Sequence, residues 1–149
     1  MNFLLPLNKI RKPIPNLGAI NLLEYLLISA VSSLLIIRAY LAIFGYPKIG
    51  TGDFHIAHML WGGFFMLGAI ILLLSFLDSS SKVWAAVLGG IGFGTFIDEL
   101  GKFVTSDNNY FYQPAIAMIY VIFILLYLVI KWLSLKTTYP DKVYAANAV

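Results

Sequence analysis

Cysteine is absent from the sequence. That excludes disulfides, thiolate metal ligands and a cysteine nucleophile. Charge is scarce: 11% of residues are charged, against about 25% in an average soluble domain. The net charge of +3 is small and scattered, so no nucleic-acid partner is expected. Only two histidines occur, His55 and His58. With no histidine on another helix, a haem with two axial imidazoles would require a dimer. No Gly-x-Ser-x-Gly nucleophile motif and no phosphate loop is present. The glycines at 90, 92 and 94 lie inside an apolar segment and are better explained by helix packing than by dinucleotide binding.

Hydrophobic residues make up 60% of the 149-residue chain. Four apolar stretches stand out: about Ile20–Phe44, His55–Leu77, Lys82–Val104 and Tyr112–Leu135. Each meets the roughly 20-residue length needed to cross hydrocarbon. The runs are continuous rather than alternating, which argues against strands. No stretch has a full charged face, which argues against a soluble bundle. The expected fold is all-α: an integral membrane four-helix bundle forming one domain over residues 1–149.

The connections are short, and short connections favour antiparallel neighbours in up-down-up-down order. Lys9, Arg11, Lys12, Lys82, Lys131, Lys136 and Lys142 then share one side with both termini and the turn Asp78–Ser81. The positive-inside rule puts that side in the cytoplasm of a multi-pass cell-membrane protein. The first span lacks a clear small-residue cleavage site and reads as a retained signal-anchor. Trp84 and Trp132 are expected at the cytoplasmic interface; Tyr40, Tyr46, Tyr110 and Tyr112 at the outer one. Pro114 suits the first turn of the last helix.

Ionisable residues in such a chain ask for a reason. His55 and His58 open the second span, and Asp98, Glu99 and Lys102 close the third. A hairpin between these spans brings both groups to one outward-facing level, with Arg38 from the first span. Ala86, Gly90, Gly94 and Asp98 form an i,i+4 stripe of small residues ending in a carboxylate, suited to close helix approach. Gly92, Thr95, Glu99 and Lys102 form a neighbouring stripe. Gly62 and Gly63 would let the second span come close. Phe93, Phe96, Ile97, Leu100 and Val104 are left to face lipid or a hydrophobic partner.

Two imidazoles with one or two carboxylates suit a divalent transition metal: zinc, iron, manganese or copper. The candidate ligands are His55, His58, Asp98 and Glu99. Arg38 and Lys102 tune the charge, and Asp53 and Asp107 stand at the rim. A purely structural polar network uses the same residues, with Arg38 paired to Asp98 or Glu99 and Lys102 to Asp98. Arg38 also suits an anionic headgroup.

The segment Phe96–Ala115, with Asp98-Glu99, Gly101-Lys102, Asp107-Asn108, Tyr110-Phe111 and Pro114, resembles a motif of small, uncharacterised prokaryotic integral membrane proteins with four helices. That family's pattern often has aspartate where this chain has Asn109. The resemblance implies that the two outer loops and the Asp-Glu pair act as one unit; it implies no reaction.

The leading expectation is therefore a His/carboxylate site where spans one, two and three meet. It would activate water or oxygen, or polarise a lipid-soluble substrate. One alternative is a non-enzymatic accessory subunit that binds other membrane subunits or its own copies. Another is cation or proton transport by an oligomer, since Glu24 and the serines of the first span offer only a sparse path within one chain.

Overall fold

In the computed structural model, residues 14–44, 58–99, 113–135 and 141–147 are described. They form helices and turns, with no strand among them. The helices are α1 (Ala19–Phe44), α2 (His58–Ser75), α3 (Ser79–Asp98), α4 (Gln113–Ser134) and the short α5 (Asp141–Ala146). α1, α3 and the Ile116–Ser134 part of α4 are long and apolar enough to cross a membrane. The apolar part of α2, Met59–Ser75, is somewhat shorter.

The boundaries differ from the sequence expectation at the α2–α3 turn. α3 begins at Ser79 rather than Lys82, because Asp78 caps it. The Asp78 carboxylate accepts from the Ser81 N–H and Ser81 Oγ, each at 2.8 Å. This satisfies one of the donors that a helix start leaves without a partner. The same two hydrogen bonds, backbone first, hold the Asp78 carboxyl below its ordinary value. Most of the serine turn is thus the first turn of α3.

α3 is the central helix. In its most apolar stretch 39% of residues are buried, against 11% in α1 and in α4. It packs on α1 along one face and on α2 along the other. Glycine makes both contacts possible. A Cβ at Gly90 would strike the Leu26 carbonyl and Ser29 Oγ of α1, and one at Gly94 the Ala30 carbonyl and Ser33 Oγ. A Cβ at Gly92 would lie 2.6 Å from the Gly62 carbonyl oxygen of α2. These pairings rise together along α1 and α3, so the two helices run parallel. α2 and α3 run antiparallel: Gly62 meets Gly92, while further along Ala69 meets Gly89.

α4 packs beside α1 and reaches a third face of α3 through side chains. Leu34, Ile97 and Ile119 form a buried cluster with Phe93, Phe96, Ile122 and Phe123 around it. Phe93 and Phe123 meet edge to face at 6.2 Å. The hydrophobic partner of Phe93, Phe96 and Ile97 therefore lies within this chain. Gly63, expected to help α2 approach, has nothing within 4 Å of where its Cβ would be. At the other end of the bundle, Asn147 accepts from the Leu17 N–H and donates to the Pro15 carbonyl, both at 3.1 Å. It ties the C-terminal helix to the start of α1.

Candidate functional site

Asp98 and Glu99 follow each other at the end of α3, so their side chains leave the axis about 100° apart. That rotation sends them to different neighbours. Asp98 points to α1, where Arg38 Nε donates to its Oδ1 at 2.7 Å. Glu99 points to α2, where the Met59 N–H donates to its Oε2 at 2.7 Å. Both carboxylates are buried, Asp98 at 2% exposure and Glu99 at 0%. Their burial follows from the glycine contacts. Gly94 lies one turn before Asp98 and brings α1 close; Gly92 brings α2 close on the side of Glu99.

The physics of the two contacts differs. Arg38–Asp98 is an ion pair whose cation keeps 26% of its side chain exposed. Such a pair bridges an apolar interior and a wetter rim at lower cost than a fully buried one. Glu99 instead occupies the N-terminus of a helix. Helix N-termini leave backbone N–H groups without intrahelical partners and carry the positive end of the helix dipole, and the Met59 N–H is the donor seen here. A carboxylate from α3 fills that position, so the two helices are fastened where both become polar.

His58 is the first residue of α2 and directly precedes Met59. Glu99 is thereby seated at the backbone turn that His58 opens. Of the other expected site residues, Asp53, His55, Lys102 and Asp107 lie outside the described residues. Among the described residues there is no group of three potential metal ligands. Every buried side-chain nitrogen and oxygen among them has a hydrogen-bond partner.

The expected meeting of spans one, two and three is thus present for Arg38, Asp98 and Glu99. The Arg38 pairing falls on Asp98, one of the two partners expected. The role of the Met59 N–H is new. The sequence shows only that the second span opens near His55 and His58, because a backbone donor has no residue signature. The Ser33 hydroxyl also joins α1 to α3, reaching the Ile91 carbonyl at 3.2 Å. Comparison with protein-family models, curated proteins and solved structures finds no match to this chain.

Proposed function

We propose that the chain is an integral membrane protein with an up-down-up-down bundle and both termini in the cytoplasm. Its outer end holds a divalent transition metal between His55, His58 and Glu99, with Asp98 as a further ligand or supporting carboxylate. The observation that supports this most is Glu99. It is wholly buried, ionisable, and drawn onto the turn of α2 that begins with His58. A carboxylate beside an imidazole-bearing turn is a donor set suited to zinc, iron, manganese or copper. Arg38 keeps Asp98 oriented, and a bound metal would polarise an oxygen-bearing substrate there.

A second reading takes the same layer as structural, in an accessory subunit of a larger membrane complex. It is favoured by the fact that both carboxylates already have protein partners: Arg38 for Asp98 and the Met59 N–H for Glu99. Metal analysis of the purified protein decides between them. The metal site requires a near-stoichiometric transition metal that is lost in both His58→Ala and Glu99→Gln variants of normal helicity. Wild-type protein that stays metal-free after incubation with each of the four metals would sink it and leave the structural layer.

A further inference from the structure

A groove of about 640 Å³ runs along the bundle between α1 and α2. Val87, Ile91 and Thr95 of α3 form its floor. These three stand at i,i+4 spacing on one face of the helix, and the next position on that stripe is Glu99. Ser32 and Ile36 line it from α1, Trp61 and Phe65 from α2. Trp61 is one turn from His58. One end of the groove therefore lies a single turn from the carboxylate and histidine of the proposed site.

Three of the serine and threonine hydroxyls lining this groove donate to backbone carbonyls. Ser29 bonds the Tyr25 and Leu26 carbonyls, Ser33 those of Ala30 and Ile91, and Thr95 that of Ile91. With those donors used on backbone, these three hydroxyls offer only lone pairs to a lining that is mostly hydrocarbon. A second groove of about 440 Å³, lined by Met66, Leu73, Phe93 and Leu126 among others, has no ionisable residue in its lining.

We infer that the first groove takes the hydrocarbon chain of a long-chain amphiphile from the bilayer and seats its hydroxyl head beside Thr95. This rests on the membrane placement and on the site at Glu99. It names the class of molecule that reaches that site. The chain alone supplies no selectivity, because lipid tails are as apolar as the groove wall. The head supplies it. Thr95 Oγ1 donates to the Ile91 carbonyl at 2.8 Å, and a hydroxyl that donates still accepts through its lone pairs. A head hydroxyl donating to Thr95 lies one turn from Glu99, where a site acting on lipid-soluble molecules requires it.

The test is photo-crosslinking in phosphatidylcholine vesicles with a diazirine-bearing hexadecanol. Saturable adducts are expected on Ser32, Ile36, Trp61 and Phe65. Unlabelled hexadecanol should suppress them several-fold more effectively than hexadecane. Thr95→Val should erase that difference, and Ile36→Trp should reduce the adducts several-fold. Adducts spread evenly over lipid-facing positions such as Leu74 and Leu125, without saturation, would overturn the groove as a binding site. Equal competition by hexadecane in the wild type, or a difference that survives Thr95→Val, would overturn the placement of the head. The wild-type saturation and competition arms stand even if a variant misfolds. Metal content of the wild-type sample is measured alongside, so loss of the groove and loss of the metal site are read separately.

Discussion

Arg38 shows how much one side chain can decide in an apolar setting. Its guanidinium reaches a carboxylate that is 2% exposed. Removing one partner of a buried pair leaves a charge that neither water nor protein compensates, at roughly 3–5 kcal/mol. The partial exposure of Arg38 places the expected loss at the low end, about 3 kcal/mol for Arg38→Met. Adding Asp98→Leu removes the stranded carboxylate and should recover most of that loss. Unfolding in mixed detergent micelles, followed by circular dichroism, measures both. A double variant no more stable than Arg38→Met would show that Asp98 owes its burial to something other than this pair. The pairing was legible in the sequence because long-range partners are few in a chain with 11% charged residues. The Glu99 contact was only half legible: that the carboxylate had to be satisfied followed from its depth, but a backbone N–H as the donor did not.

At the scale of the helix, α3 is read correctly by spacing and less well by boundary. The stripe of Gly90, Gly94 and Asp98 faces α1, as i,i+4 geometry requires. The helix starts before the expected Lys82, because Asp78 caps it and the serines form its first turn. Glycine content alone does not say which glycine is in contact. Gly62 opposes Gly92, while its neighbour Gly63 faces open space. The contrast gives a paired prediction. Gly94→Ala drives a methyl group into the Ala30 carbonyl and Ser33 Oγ, forcing α1 outward. Overpacking of this kind costs about 1–3 kcal/mol. Gly63→Ala meets nothing and should be neutral or stabilising by up to about 1 kcal/mol, from helix propensity. Both are measurable in the same micelle titration. Equal effects at the two positions would mean that α1 and α3 are not held at glycine distance.

For the whole molecule, contacts between described segments fix which helix ends lie together. α1 and α3 are parallel, so the start of α1 and the capped start of α3 lie at one end of the bundle. Asn147 bonds Pro15 and Leu17, which brings the C-terminal helix to that same end. The opposite end holds Arg38, Asp98, Glu99 and the first turn of α2. Lys82 and Lys131 belong to the first end by their place near the start of α3 and the finish of α4. The orientation proposed from charge bias has that end in the cytoplasm and the carboxylate layer outward. The absence of cysteine makes this directly testable, because an introduced thiol is the only one present. Asn16→Cys and Ser80→Cys should both be shielded from an impermeant maleimide in intact cells and react once the membrane is opened. Phe44→Cys, at the far end of α1, should react in intact cells. Asn16 and Ser80 labelling from opposite faces would break the parallel relation of α1 and α3. Reaction of both in intact cells, with Phe44 shielded, would keep the bundle and invert it. The Glu99 layer would then open to the cytoplasm, and any ligand of that layer would have to come from that side.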